Sequence, residues 1–379
     1  MIIQKLHGHN NIPGYPVRKG CKILPCLLLV GILLGGCTRE SACEEPDTDR
    51  VMCLNFIADI YGSAKTRTPI IGGSFPASVS GTIHNIGMFM MCSDEMTPYE
   101  TGSDNLTAEL TASNGYVDTW RYRYRDGNVW KSNLTMKPGE TVKLWAYYPR
   151  SAVATVDCVP FDLTEIDQQN NQSDLLWCAT QTLTVANADV SKSISLHFRH
   201  AYALLEFLIK KKTADPAIVT HIEVTNKSGN WIANKGNMNP LTGIISGATT
   251  GTVGVNCLAA LATDGYTTIR VMVPPFSGIY ADDEIEILFH VEGNSALLSF
   301  PVKRSYLSSV GNEYGLAAGL KYSYMLLYSL HDGSLILLPW NDGSADGDLG
   351  GKPTDGTVNI SPWTENNIVD ENVGEKPLD

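Results

Sequence analysis

The chain is 379 residues long, 43% hydrophobic and 18% charged, with a formal net charge of −12 from 28 Lys+Arg against 40 Asp+Glu. That apolar fraction excludes global disorder, and the length fits two domains at roughly 100–200 residues each. The acidic balance excludes a binder of nucleic-acid phosphates, and no apolar run reaches the roughly 20 residues of a bilayer-spanning helix.

Residues 1–36 read as an export signal. Lys5, Arg18, Lys19 and Lys22 precede an apolar stretch at 23–34, with no acid before it. This stretch fits a signal-peptide core and is too short for a span. It ends in Leu34-Gly35-Gly36-Cys37, which resembles the lipobox of bacterial lipoproteins. The resemblance implies cleavage before Cys37, acylation of its thiol (palmitate among the chains) and anchorage at the outer membrane. The competing reading is an ordinary signal peptide with a chance cysteine. Buried acyl chains contribute about 0.8 kcal/mol per CH₂, so several of them hold a domain durably. Without residues 1–36 the balance is 24 Lys+Arg against 40 Asp+Glu, more acidic than the whole chain. Residues 37–50, with Glu40, Glu44, Glu45 and Asp47, read as a polar tether.

From residue 51 the dominant period is two. Met52, Leu54, Phe56, Ala58 and Ile60 share one face of a first strand at 51–60. Val142, Leu144, Ala146 and Tyr148 alternate likewise, as do Ala201, Ala203, Leu205, Phe207 and Ile209. Ile285, Ile287, Phe289 and Val291 repeat the pattern, then Tyr322, Tyr324, Leu326 and Tyr328. Turn formers such as Arg125-Asp126-Gly127-Asn128 and Lys137-Pro138-Gly139 punctuate these runs. Residues 258–262 alone suggest a short helix. The expected fold is all-β, with two consecutive antiparallel β-sandwich domains at 51–190 and 191–379. Their join falls near 190, to within about fifteen residues. Cys43, Cys53, Cys92, Cys158, Cys178 and Cys257 are scattered with no CxxC pair, so buried free thiols are expected rather than disulfides.

No HExxH, GxSxG or phosphate-binding glycine loop occurs, so the sequence calls for no enzyme activity, metal or cofactor. His197 and His200 stand three apart on a predicted strand, on opposite faces, and read as structural. Asp342-Gly343-Ser344-Ala345-Asp346-Gly347-Asp348 matches half an EF-hand loop, but Pro353 stands where a bidentate Glu is needed. A Gly/Asp hairpin loop is the better account. Trp120, Tyr122, Tyr124 and Trp130 are either a sugar-binding platform or ordinary sheet-face aromatics.

Six phrases, in order, resemble the fimbrillin family, the lipoprotein-derived fimbrial subunits and fimbrillin-A-associated accessory and anchor proteins of Gram-negative anaerobes. Ile86-Gly87-Met88-Phe89-Met90 is similar to its "IGxF" strand, and Leu144-Trp145-Ala146-Tyr147-Tyr148-Pro149 to its "AYYP" strand. Asp174-Leu175-Leu176-Trp177-Cys178-Ala179 resembles "DLMxA", and Leu196-His197-Phe198-Arg199-His200-Ala201 resembles "LxFxHA". Ala318-Gly319-Leu320-Lys321-Tyr322-Ser323-Tyr324 and Ile360-Ser361-Pro362-Trp363 are similar to "AGxxYxY" and the closing "IxxW".

The resemblance implies transthyretin-like sandwiches, a place in a surface fimbrium, no catalysis, and assembly with other fimbrial subunits by strand exchange. An arginine-specific proteinase would cut after the first strand, at Arg67 in the polar loop after it, or at Arg50 before it. Removal of Met52, Leu54, Phe56, Ala58 and Ile60 would open a groove for a neighbour's C-terminal strand. Here the donor is 357–379, with Val358, Ile360, Trp363, Ile368 and Val369 as anchors. The alternative function is a non-catalytic surface lipoprotein that binds glycan through exposed aromatics. A host or bacterial surface ligand fits either reading.

Overall fold

The period-two runs become strands because each has one parity of apolar side chains to bury and a paired backbone to satisfy. The computed structural model describes residues 52–60 and 84–363, less 114–116, 165, 168–173, 186–190, 294–296, 311–312, 330, 332–333 and 339–357. Cys37, Cys43, Arg50, Arg67, the 342–348 loop, Ile368 and Val369 therefore lie outside the described residues.

In chain order the strands are β1 (Met52–Ile60), β2 (His84–Met91), β3 (Asp104–Ser113), β4 (Val117–Arg123), β5 (Leu134–Met136) and β6 (Thr141–Tyr148). Next come β7 (Val159–Asp162), β8 (Ile166–Asp167), β9 (Leu176–Thr184), β10 (Ser191–His200), β11 (Ala203–Lys211) and β12 (Ile218–Asn226). Then follow β13 (Ala233–Met238), β14 (Ile245–Thr250), β15 (Val253–Ala260), β16 (Thr267–Val273), β17 (Phe276–Ile279) and β18 (Ile285–Val291). The last are β19 (Leu298–Val302), β20 (Ser308–Val310), β21 (Glu313–Leu316), β22 (Leu320–Ser329), β23 (Ser334–Leu337) and β24 (Val358–Pro362). The helix expected at 258–262 does not form. Ala259 and Ala260 are held extended in β15 by pairing with Val219 and Ile218 of β12.

The first sheet has the order β4-β3-β2-β6-β9-β10-β1-β5. It curls onto itself, bringing the Phe56 ring 5.7 Å from Tyr122. Its β4 edge is bridged by the connection that leads into β5, where Tyr122 and Lys131 exchange N–H···O bonds of 2.8 and 2.7 Å. Inside lie Leu54, Phe56, Ile86, Met88, Leu144 and Leu196.

The second core is a sandwich of β16-β11-β22-β23, with β24 also on β22, against β19-β18-β12-β15-β8. Phe207 meets Phe289 at 5.2 Å and Phe300 meets Tyr324 at 5.8 Å across it. Pairing is antiparallel except at β1·β10, β11·β22 and β8·β15.

β2 and β6 depart from the expected one-sided burial. Met88, Met90, Leu144, Ala146 and Tyr148 belong to the first core, while Phe89, Met91, Trp145 and Tyr147 belong to the second. These two strands are a wall shared by both cores, which is why their sequences read as unbroken apolar runs. Gly87 makes the wall possible: a β-carbon there would stand 2.1 Å from the Tyr147 ring. Sheet membership changes between His200 and Ala203. β7 and β8 cross early to pair with β13 and β15, so the halves interlock.

Candidate functional site

β1 lies between β10 and β5, and the two sides hold it unequally. Along β10 it runs parallel over eight pairs, from Cys53 opposite Ser191 to Ile60 opposite Phe198. Along β5 it has three, with Met52 opposite Met136 and Leu54 opposite Leu134. Leu54 and Phe56 are buried, within the core that also holds Ile194, Leu196 and Phe198 of β10 and Leu134 and Met136 of β5. Met52, Ala58 and Ile60 take their places in the ladder opposite Met136, Leu196 and Phe198. Burying two such side chains contributes about 3–6 kcal/mol gross, against the net stability of about 5–15 kcal/mol typical of a whole protein.

The C-terminal segment occupies its own chain's sheet as far as Trp363. β24 runs antiparallel to β22, with Val358 opposite Tyr324 and Ile360 opposite Tyr322. Val358 and Trp363 are buried, Ile360 is half-buried, and the Trp363 amide donates to the Gly319 carbonyl at 2.7 Å.

Three of the quoted phrases converge at this point. The His200 ring stacks on Trp363 at 3.6 Å and 12°. Its Nδ1 stands 3.0 Å from Asp174 Oδ2, and both side chains are buried. Sequence reasoning marked His200 as structural but missed Asp174 as its partner, 26 residues upstream. Burial first, then the Asp174 charge, pushes the nearby Tyr148 hydroxyl up to about 12. His197 points to the exposed side of β10, as its spacing from His200 requires.

The four aromatics do not form one platform. β4 alternates, so Tyr122 is buried and Trp120 and Tyr124 pack against the first core. Trp130 lies after β4, beneath Arg121 at 4.4 Å and Arg123 at 4.8 Å, whose positions on β4 have the opposite parity. The sheet's pleat separates them, and the sugar-platform reading loses its geometry.

Cys53, Cys92, Cys158, Cys178 and Cys257 are free thiols. Only Cys178 is buried; the other four are half-buried, against the expectation that all would be enclosed. Burial pushes the Cys257 thiol up to about 11, which keeps it protonated and a poor nucleophile.

Fold and site together define an all-β protein whose strand β1 is set between β10 and β5 of its first sheet. A family model described as fimbrillin-like matches residues 83–363, and the chain belongs to that family. Membership places it among structural and adhesive proteins of the cell surface. Among solved structures, it is similar to a candidate cell adhesion protein of Bacteroides uniformis at 17% identity and TM-score 0.48, covering 83% of this chain and 99% of that one. It is also similar to a fimbrial protein of Bacteroides vulgatus, at 11% identity and TM-score 0.39, covering 83% and 100%. A fimbrial assembly protein of Parabacteroides distasonis matches at 12% identity and TM-score 0.35, covering 76% and 98%. No curated protein matches the sequence.

Proposed function

We propose that the chain is a structural or adhesive subunit of a surface fimbrium, exported as a lipoprotein acylated at Cys37 and assembled by proteolysis-triggered strand exchange. The position of β1 carries this reading. It is the first strand among the described residues, docked by a long ladder on one side and a short one on the other, and it precedes the family-matched span. Cutting at Arg67 separates β1 covalently from the sheet it completes. Its departure exposes an apolar gap between β10 and β5 that accepts a strand running parallel to β10. Cutting at Arg50 frees the lipid-bearing tether and leaves the gap filled.

The donor lies in 357–379. Val358, Ile360 and Trp363 form β24 or follow it, so they donate only after β24 leaves β22, whereas Ile368 and Val369 lie beyond that strand. The partners are other fimbrial subunits, the outer membrane through the lipid, and a surface ligand.

The test is limited digestion of the purified chain with an arginine-specific proteinase, followed by mass spectrometry and electron microscopy. The expected result is loss of all residues through Arg67 and the growth of filaments. A product verified as cut at Arg67 that stays monomeric would overturn strand exchange.

A further inference from the structure

The outer face of the β19-β18-β12-β15-β8 sheet carries a cluster that the function above does not use. β12 has a bulge between Val219 and His221, where its register on both neighbours shifts. Past the bulge Ile222 and Val224 point into the core, so His221 and Glu223 share the outer face. On β18, Phe289 and Val291 point inward and His290 outward, directly opposite His221. His290 Nε2 stands 2.9 Å from Glu223 Oε1, and His221 Nε2 stands 3.5 Å from the same oxygen. All three ligand atoms lie within 4.8 Å of one another.

We propose that His221, Glu223 and His290 bind a divalent transition cation of the zinc class. Ligand atoms at about 2.0–2.1 Å from a tetrahedral zinc stand roughly 3.3 Å apart, which the two measured spacings bracket. Two imidazoles and one carboxylate suit zinc and its neighbours, and do not suit calcium or magnesium, which take oxygen sets.

The surroundings are arranged for ligation. Asn256 Oδ1 accepts from His221 Nδ1 at 2.8 Å, which fixes the proton on Nδ1 and leaves the Nε2 lone pair facing Glu223. Gly254, opposite Glu223 on β15, leaves space for the His221 ring; a β-carbon there would stand 3.0 Å from His221 Cε1. The three side chains are 22–32% exposed, so a cation reaches them from solvent and keeps water in its remaining position. Binding displaces the proton that His290 Nε2 donates to Glu223 in the free protein. The sequence hides the site because His290 is 69 positions from His221 and no spacing motif joins them.

The test is titration of the untagged, metal-stripped full chain with zinc chloride by calorimetry, with cobalt(II) absorption as a coordination readout. The expected result is one more zinc equivalent in the native chain than in His290→Ala or Glu223→Gln, each checked for its native circular dichroism. The visible cobalt bands of a nitrogen–oxygen site should vanish in both variants. Asn256→Ala should keep the stoichiometry and bind about 10–100-fold more weakly. His197→Ala should match the native chain. Equal zinc stoichiometry in the native chain, His290→Ala and Glu223→Gln would overturn the proposal.

Discussion

Glu206 sits on β11 between Arg270 of β16, at 2.8 Å, and Lys321 of β22, at 3.3 Å, and Ser323 donates to it at 3.0 Å. Burial opposes its ionisation, but Lys321 and Arg270, with the hydrogen bonds from Arg270 and Ser323, outweigh that cost and hold its carboxyl below the ordinary 4.5. A depressed carboxyl contributes stability that is present above the unfolded value, and that is lost as pH falls through the folded one. The native chain should therefore lose urea resistance as pH drops below about 4.5. Glu206→Gln should be about 2 kcal/mol less stable at neutral pH and show a flatter acid limb. Urea midpoints across pH for both proteins check this. Nothing in the sequence marked Glu206, because its partners lie 64 and 115 positions away and become neighbours only through the β16-β11-β22 register. By contrast, the structural role of His200 was legible from its parity alone, while Asp174 was not, since spacing on one strand says nothing of the strand beside it.

β24 shows the same limit at the level of the element. Its apolar positions were legible at Val358, Ile360 and Trp363, but alternation defines faces and never the neighbour, so its seat on β22 was not. Trp363 closes that seat against His200, and Trp363→Ala should cost about 3–5 kcal/mol through the cavity it leaves. Hydrogen exchange should then accelerate along the β22 edge at Tyr322 and Tyr324, while β11 on its other side stays protected. Uniform acceleration across both strands would mean that β24 does not act as a separate clasp. The strands themselves were readable wherever one parity was apolar and turn residues bounded the run. Residues 258–262 failed as a helix because their hydrophobicity answers to pairing with β12 rather than to a helical face.

At the scale of the molecule, the shared wall of β2 and β6 matters most. The two cores both lean on it, one through Met88 and Ala146, the other through Phe89 and Trp145. Phe89 stacks on Trp145 at 5.4 Å and on Tyr147 at 5.7 Å. The two cores should thus unfold as one: tryptophan fluorescence and far-ultraviolet dichroism should give coincident urea transitions. Phe89→Ala should move both by the same amount, about 3–5 kcal/mol. Two separated transitions, with only one displaced by the substitution, would show that the wall does not couple them. The all-β class was legible from composition and period, but a strand with two apolar faces looks the same in sequence whether it is a wall or an ordinary buried strand.

The parallel pairing of β1 with β10 also sets an order in time. In the proposed export, Cys53 finds Ser191 only after the 137 positions between them have emerged, so a strand that emerges early docks late. Throughout that interval its place in the sheet stands open to any suitable strand, and occupancy becomes a race between a tethered segment and a diffusing one. Linkage through the intact chain gives β1 a high effective concentration and decides that race in its favour. The proposed cut at Arg67 would remove that advantage, so the same chemistry that closes an intact chain would leave a trimmed one open to a neighbour's strand.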